Sequence, residues 1–231
     1  MLLAVTTPTG NIGSVMSQRL VDAQPGQTRL LVRDPAKLAA HAAKGATIVQ
    51  TDQADRASIL EATRGVDTLF WLTPPIMTEE FRSAQRNIGF NGVAAAKANA
   101  IRRVVHPSSF GAQHPMGLGP ISGLFDIETG FDGATPHVVH LRAGFFMENL
   151  FGSLGTIAGM GKIFGAVPGD VPFPVVATRD IAEVAARFMM DGAWSGRHCV
   201  GVHGPKDLSW NDMAATLSEV LGRQIDYTQI P

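Results

Sequence analysis

Residues 2–13, with the sequence LLAVTTPTGNIG, decide the fold of this chain. An apolar run typical of a buried strand leads into a turn that contains Gly10 and Gly13, and an amphipathic helical pattern follows over residues 12–23. A strand that ends in a glycine turn and opens a helix directs backbone N–H groups and the positive end of the helix dipole to one point. This arrangement suits the pyrophosphate of a dinucleotide. The stretch therefore predicts a dinucleotide-binding site, with a purely structural glycine turn as the alternative.

The second predicted strand, residues 28–32, specifies the type of dinucleotide. The residue at the end of this strand meets the adenosine ribose, where an acidic side chain binds a free 2′-hydroxyl and an arginine fits a 2′-phosphate. Arg33 occupies this place, and Lys37 follows one helical turn later. These two cations predict NADP(H) as the cofactor. Two alternatives stay open: Asp34 faces the ribose instead, or the charges only frame a helix start at Pro35.

Beyond the glycine turn, strand-like and helix-like segments alternate through the first two-thirds of the chain. Strands are predicted near residues 2–6, 28–32, 46–50, 66–72, 102–107 and 136–142. Helices are predicted near residues 12–23, 36–43, 56–63, 79–99 and 121–131. Alternation of this kind predicts an α/β fold of the Rossmann type, a doubly wound parallel sheet joined by right-handed crossovers.

The remainder of the chain predicts a second, smaller part. We assign residues 1–150 to an NADP(H)-binding Rossmann domain and residues 151–231 to a substrate-side lobe interleaved with it. Residues 151–177 are rich in Gly, Pro and apolar side chains without a helical period, which predicts an irregular segment. Further on, Ser209 and Asp212 form a near capping box for a helix that Gly222 ends.

The composition argues against several classes of protein. The 231 residues carry a formal net charge of −1 and no basic tract, which argues against a nucleic-acid surface. Gly, Pro or charged residues break every long apolar stretch, so neither a membrane span nor an export signal is predicted. Cys199 is the single cysteine, so an internal disulfide and a cysteine metal cluster are excluded, and its apolar surroundings predict a buried thiol. We therefore expect a cytoplasmic protein without a metal centre.

Further motifs follow the glycine turn along almost the whole chain. They are Val32-Arg33-Asp34-Pro35, Asp52-x-x-Asp55, Leu72-Thr73-Pro74-Pro75, Ser108-Ser109-Phe110-Gly111-Ala112, residues 141–150, Arg179-Asp180-Ile181-Ala182-Glu183 and Leu221-Gly222-Arg223. In this order they resemble an atypical short-chain dehydrogenase/reductase of the NmrA-like group, similar to its NAD(P)H-binding quinone-reductase-type members. Such proteins usually continue past a point like Ile230-Pro231. The resemblance therefore implies that a terminal helical portion of the substrate lobe is missing.

The glycine turn, the second strand and this resemblance together imply a set of residues that bind NADP(H). The set consists of Thr7, Thr9, Gly10, Asn11, Ile12, Gly13, Arg33, Lys37, Asp52, Thr73, Pro74, Ser108 and Phe145.

The usual catalytic pair of this superfamily is absent. Ordinary short-chain dehydrogenases use a Tyr-x-x-x-Lys pair, in which the lysine lowers the pKa of the tyrosine that protonates the substrate. Here the only tyrosine is Tyr227, near the end of the chain, and no lysine lies between Lys97 and Lys162. Ser109, or Ser108 beside it, lies where the family has its serine and would bond a carbonyl or the nicotinamide amide. An ordinary polar turn is the alternative.

The other candidates for proton donors are the acidic residues Asp126, Glu128 and Glu148 and several histidines, whose imidazole titrates near neutral pH. His106 and His114 flank the serine turn, and we name His114 with Ser109 as the catalytic candidates. His137 and His140 fall in a predicted strand, where we expect histidines with structural partners.

Two functions are compatible with these residues. The favoured one is an NADPH-dependent reductase of a small apolar conjugated acceptor (a quinone, enone, iminium or cationic dye), which accepts hydride without a strong acid. The apolar, Gly- and Met-rich residues 145–169 favour such a small-molecule pocket. The alternative is a non-catalytic NADP(H)-binding redox sensor that acts through a protein partner, which the loss of the Tyr/Lys pair favours. The sequence leaves the acceptor open, and a homodimer is neither required nor excluded.

Overall fold

The structure is a computed structural model that describes residues 1–74 and 81–230. Its strands are β1 Leu3–Thr6, β2 Thr28–Val32, β3 Thr47–Gln50, β4 Thr68–Phe70, β5 Arg103–Ser109, β6 His137–Ala143, β7 Phe145–Phe146, β8 Lys162–Gly165, β9 Val175–Val176, β10 Arg197–Val202 and β11 Asp226–Gln229. Its α-helices are α1 Asn11–Ala23, α2 Ala39–Ala43, α3 Arg56–Ala62, α4 Phe81–Ala98, α5 Ser122–Ala134, α6 Leu154–Met160, α7 Thr178–Met190 and α8 Trp210–Leu221. Pro75 of the fourth-strand motif, residues 79–80 of a predicted helix, and Pro231 lie outside the described residues.

A seven-stranded sheet in the order β10-β6-β5-β4-β1-β2-β3 forms the centre of the fold. The pairs β1–β2, β1–β4, β2–β3 and β4–β5 are parallel. Helices connect these strands, so the predicted α/β Rossmann-type sheet is confirmed. The chain moves from β1 outward to β3 and then returns to β4 on the other side of β1. This reversal of strand order creates a crevice at the carboxyl ends of β1 and β4, where such folds bind ligands.

The sheet is held by an apolar core on the side of α3, α4 and α5. Leu69, Trp71 and Val104 are completely buried there. Gly92 of α4 lies so close to Trp71 that a Cβ at this position would come within 2.3 Å of the indole ring. Continuous apolar strands of this kind are what a sheet covered by helices requires.

The chain divides into two compact units. The first comprises Met1–Arg142 with Arg179–Val202, and the second comprises Ala143–Thr178 with His203–Pro231. The second unit contains two small parallel strand pairs, β8–β11 and β7–β9. The division of tasks at residue 150, with cofactor binding before it and substrate binding after it, stays a prediction.

The structure confirms one of the two local predictions for the second unit, the capped helix, and corrects the other, the irregular segment. Ser209 and Asp212 form the capping box of α8, and Gly222 ends that helix with a φ of 64°. Residues 151–177, however, are not irregular throughout, because they contain α6 and β8. The sequence pattern does not predict helix α6, because the helix has no apolar stripe. It holds two glycines in seven residues and buries only Ile157.

The prediction of a buried Cys199 thiol is wrong. Cys199 is exposed, because β10 is the outermost strand of the sheet and has a neighbouring strand on one side only. No helix in the described parts of the chain is both long and apolar enough to cross a membrane.

Candidate functional site

The turn between β1 and α1 is built around an unusual backbone conformation. Thr7 has a φ of 51°, in the left-handed region that favours glycine, and its carbonyl accepts a hydrogen bond from the Gly10 N–H at 3.0 Å. Gly10 stands directly before α1 and offers no side-chain acceptor to the first N–H groups of the helix. Strained residues of this kind are concentrated at functional sites. The first turn of α1, which includes Asn11, Ile12 and Gly13, therefore presents N–H groups available to an anion.

The two glycines of this turn serve different purposes. A Cβ at Gly13 would lie 2.0 Å from the carbonyl oxygen of Thr7, so position 13 must be glycine for α1 to pack against the turn. A Cβ at Gly10 would lie 3.5 Å from the same oxygen, which is an ordinary van der Waals contact. Its φ of −82° is also accessible to any residue. Packing within the protein therefore requires glycine at position 13 but not at position 10.

A cleft of about 550 Å³ opens beside this turn within the first unit. Its lining residues are Thr7, Pro8, Thr9, Gly10, Leu31, Val32, Arg33, Asp34, Lys37, Thr51, Asp52, Gln53, Ala54, Pro74 and Ile88. The structure thus brings together most of the residues that the sequence assigned to the cofactor. A cleft of this size accommodates a large part of a dinucleotide.

Arg33 and Lys37 lie along one side of the cleft and are exposed. Neither side chain forms a hydrogen bond or an ion pair with the residues that the structure describes. The Asp34 carboxylate, by contrast, accepts a hydrogen bond from the Ala36 N–H at 3.2 Å and so begins a short 3₁₀ helix. Two cations lie here beside one acidic group that is engaged with the backbone, an arrangement that suits a phosphate group.

The loop after β3, which also lines the cleft, is fixed by polar contacts that the sequence did not reveal. Asp52 accepts a hydrogen bond from the Ala54 N–H at 2.9 Å. The Asn91 amide of α4 donates to the carbonyls of Gln53 and Ala54 at 2.9 and 3.1 Å. Asn91 is buried, so its polar side chain interrupts the apolar face of α4. In the sequence, this interruption is a signal that could have revealed the contact with the loop after β3. These bonds hold the loop after β3 in place against the cleft.

Three buried hydroxyl groups lie at the carboxyl ends of β1, β4 and β5, which are neighbours in the sheet. The Oγ1 atoms of Thr7 and Thr73 and the Oγ atom of Ser108 have no hydrogen-bond partner among the described residues. A buried polar group without a partner costs about 1–3 kcal/mol. A polar ligand along this edge would satisfy these hydroxyls, so the residues present fit a dinucleotide cofactor.

Of the two predicted catalytic residues, Ser109 is the last residue of β5 and His114 lies beyond it. Ser109 is half-buried, and its hydroxyl donates to the Phe110 carbonyl at 3.1 Å. His114 is exposed and lies beyond a tight turn at Gly111, with one ring nitrogen 3.4 Å from the Gln113 amide. No contact joins Ser109 to His114 within the described residues. Phe145, assigned to the cofactor from the sequence, belongs to the second unit, where its ring contacts Phe173 and Trp210.

Helix α5, which follows the serine turn, carries a buried ion pair. Glu128 of α5 is 5% exposed and accepts two hydrogen bonds from Arg142 of β6, at 2.6 and 3.1 Å. This contact raises the pKa of Arg142. Two parallel bonds of this kind fix both side chains in one orientation, and therefore fix α5 against β6.

A pair of buried histidines lies between the same elements. The Nδ1 atoms of His106 and His140 are 3.1 Å apart, and His140 Nε2 lies 3.3 Å from the Asp132 carboxylate. Burial lowers the pKa of His106 well below its usual value, and the neighbouring His140 lowers it further. Burial also lowers the pKa of His140, although Glu128 and Asp132 oppose that shift. The expectation of structural partners for His140 is confirmed. No group of residues that would hold a metal ion occurs in the described parts of the chain.

Comparison with known proteins agrees with this geometry. The model of the NmrA-like family matches residues 1–231. A reductase of Streptomyces griseus, named (4-alkanoyl-5-oxo-2,5-dihydrofuran-3-yl)methyl phosphate reductase, is 30% identical over 99% of this chain and 77% of its own length. Quinone oxidoreductase 2 of Escherichia coli is 29% identical over 99% of this chain and 78% of its own length. A crystal structure of the NADPH-dependent quinone oxidoreductase of E. coli with NADPH superposes with a TM-score of 0.84, at 27% identity, over 99% of this chain and 78% of that one.

The different requirements at Gly10 and Gly13 lead to a first prediction. Gly10→Val should fold normally and lose NADPH binding, because the added side chain occupies the space that a pyrophosphate needs. Gly13→Ala should instead lower the thermal stability of the protein, because its Cβ collides with the Thr7 carbonyl. Thermal unfolding and NADPH fluorescence titration of both variants measure these effects. Normal NADPH binding by Gly10→Val would place the phosphate site elsewhere.

The buried histidine pair leads to a second prediction, on pH. The folded protein holds both imidazoles neutral at pH values where the unfolded chain, with a histidine pKa near 6.5, already binds protons. Stability is therefore complete above about pH 6.5 and falls as the pH drops below that value, by up to ~1.4 kcal/mol per pH unit for each histidine. Urea unfolding between pH 7.5 and 5 measures the slope. His106→Leu should flatten it, and the exposed His114→Ala should not; equal slopes in the two variants would contradict the assignment.

Proposed function

Because the chain belongs to the NmrA-like family, we propose that it is an NADPH-dependent reductase that delivers hydride to a small, apolar, conjugated acceptor. The observation that carries this proposal is the cleft at the switch point of the sheet. The cleft lies beside the first turn of α1 and is lined by two cations that have no partner among the described residues. Three buried hydroxyls without a partner lie at the carboxyl ends of β1, β4 and β5. Its relatives are named as reductases, and the chain is an NAD(P)H-dependent oxidoreductase of this family.

Residues of different chemistry would bind different parts of the cofactor. The first turn of α1 would hold the pyrophosphate, and Arg33 with Lys37 would hold the 2′-phosphate. Asp52 and Pro74 would line the adenosine half, and the hydroxyls of Thr73 and Ser108 would bond polar atoms of the nicotinamide half. The assignment of Phe145 to the nicotinamide stays a prediction. When bound, NADPH supplies the hydride. The protein itself has to position the acceptor and exclude water rather than perform redox chemistry.

The lack of a strong acid among the candidate catalytic residues supports this class of acceptor. Helix α5 carries the Glu128–Arg142 ion pair, and no Tyr/Lys pair exists to provide a strong acid. An acceptor that delocalises the charge of an added hydride does not need one. The relatives support this class, because one is named for a quinone and another for an oxo-dihydrofuran. Ser109 would orient the acceptor oxygen, and His114 would provide a proton from the loop.

Consumption of NADPH across a panel of acceptors tests the function. A set of quinones, enones and one cationic triarylmethane dye should reveal turnover, with NADH as the comparison cofactor. Tight NADPH binding without oxidation by any acceptor would overturn the reductase and favour a redox sensor that acts through a protein partner.

Cofactor preference provides the third prediction. Arg33→Ala should weaken NADPH binding by about 1–3 kcal/mol and leave NADH binding almost unchanged, because only NADPH carries the phosphate that Arg33 would contact. Arg64→Ala is the matched control, since Arg64 is an exposed arginine that does not line the cleft. Calorimetric titration of both cofactors gives the affinities. An unchanged NADPH affinity in Arg33→Ala would remove Arg33 from the site.

Catalysis provides the fourth prediction. Ser109→Ala should slow turnover roughly ten- to a hundredfold, the cost of losing one hydrogen bond to the reacting oxygen. Tyr227→Phe should retain activity, because the Tyr227 hydroxyl donates to the Val167 carbonyl and its ring stacks on Trp210 within the second unit. His114→Ala should slow acceptors that need a proton and spare the cationic dye. Steady-state kinetics decide; an inactive Tyr227→Phe beside an unaffected Ser109→Ala would contradict this placement.

A further inference from the structure

Arg103, the first residue of β5, carries a buried positive charge in the first unit. The residue is only 8% exposed. Charged side chains are rarely buried to this extent without an acidic partner, because removal of a charge from water is costly. Arg103 nevertheless forms no ion pair with the residues that the structure describes. The hydrogen bond and the aromatic contact of its guanidinium both come from Trp194, and neither neutralises the charge.

Trp194 fixes the guanidinium of Arg103 in one orientation. The Nε–H of Arg103 donates to the Trp194 carbonyl at 3.1 Å, and the guanidinium carbon lies 5.9 Å from the centre of the indole ring. Trp194 is itself anchored to α7, because its indole N–H donates to the Phe188 carbonyl at 2.8 Å and the two rings pack edge to face. The contact partner of Arg103 is therefore held in place as well.

The outer end of the guanidinium stays available. Neither Nη atom of Arg103 forms a hydrogen bond with the described residues, and neither belongs to the fully buried polar atoms that lack a partner. Both Nη groups therefore reach the surface, while the Nε side of the group is bound to the protein. Water at this opening would bond the Nη groups without neutralising the charge, whereas an anion would do both.

Two acidic side chains near these elements are engaged with the backbone. Asp67, one residue before the β4 partner of Arg103, accepts a hydrogen bond from the Leu2 N–H at 2.7 Å. Asp191, directly after α7, accepts one from the Ala193 N–H at 2.8 Å. Neither carboxylate forms an ion pair with Arg103, so neither provides the missing partner.

The position of Arg103 separates it from the proposed cofactor cleft. Arg103 stands at the amino end of β5, whereas the glycine turn and the buried hydroxyls lie at the carboxyl ends of the strands. The seven residues of β5 span roughly 20 Å. Arg103 does not line the cleft, so a ligand bound to it would leave the cleft free for a dinucleotide.

We propose that the two Nη groups of Arg103 bind a small oxyanion, a carboxylate or a phosphate group, at the amino end of β5. The planar guanidinium presents paired N–H groups that match two oxygen atoms of either group. The contacts with Trp194 fix the side chain before binding, so little conformational entropy is lost when the anion binds. The small exposed fraction of Arg103 admits the oxyanion end of a ligand, and the rest of the ligand would lie on the surface. This site does not depend on the reductase function.

An NMR titration of the wild-type protein tests the site. The Arg103 Nε–H is hydrogen-bonded inside the protein, so its nitrogen–proton signal is the reporter, and Arg103→Lys identifies the signal by its loss. Sodium phosphate and sodium acetate are added separately, with sodium chloride as the reference at matched ionic strength. At least one oxyanion should shift the signal saturably, with half-saturation in the millimolar range. The anion that saturates at the lower concentration identifies the ligand as a phosphate or a carboxylate.

Arg33→Ala is the control for phosphate that binds in the cofactor cleft. It should leave the titration of the Arg103 signal unchanged, because Arg33 lines the cleft and Arg103 does not. A shift that only grows linearly with both anions and equals that of chloride would show that Arg103 has a structural role alone. The proposed site would then be wrong.

Two further variants separate the paired N–H groups from general positive charge. Arg103→Lys keeps the charge and loses the planar group, so it should raise the half-saturation concentration roughly tenfold or more, read on the indole N–H signal of Trp194. Arg102→Ala removes the neighbouring exposed arginine and should change this concentration by less than about threefold, the effect of a screened surface charge. Equal effects of the two variants would contradict the proposal. If Arg103→Lys does not fold, the wild-type and Arg33→Ala titrations decide by the presence or absence of saturation.

Discussion

Packing of helix α1 against the Thr7 carbonyl sets the geometry of the nucleotide end of the molecule. The contact leaves no room for a Cβ at Gly13, and it holds Thr7 at a φ that few residues other than glycine adopt. Because β1 lies between β4 and β2 in the sheet, this contact also sets the position of the helix N-terminus relative to both strands. The strain at Thr7 is stabilised by buried neighbours, and its result is a row of N–H groups directed at one place.

The rest of the site depends on that position. Arg33 follows β2 on one side of the turn. On the other side, Thr73 follows β4 and Ser108 lies near the carboxyl end of β5. A single ligand long enough to cross the switch point would contact all of them, and a dinucleotide has that length and that distribution of phosphates and polar groups. The function proposed here therefore combines binding by a general Rossmann geometry with chemistry that does not require the usual tyrosine.

The features that the sequence predicted are local ones. The glycine turn, the capping box of Ser209 and Asp212, and the family resemblance all depend on residues close in the chain, and the fold and family are confirmed. The NADP(H) assignment from Arg33 agrees with relatives that use NAD(P)H, while the roles of individual site residues stay predictions. The contact between His106 and His140 joins positions 34 residues apart on neighbouring strands, and no local pattern encodes it. The exposure of Cys199 was missed for a similar reason, because strand order decides which strand lies at the edge.

Direct transfer of hydrogen from cofactor to acceptor is the central claim, and isotope labelling measures it most directly. NADPH carrying deuterium at C4 of the nicotinamide would be incubated with the protein and its best acceptor, and the product analysed by mass spectrometry. One deuterium per product molecule is expected, from one of the two C4 positions only, and Gly10→Val should form no product. A product without deuterium, formed at an undiminished rate, would contradict it.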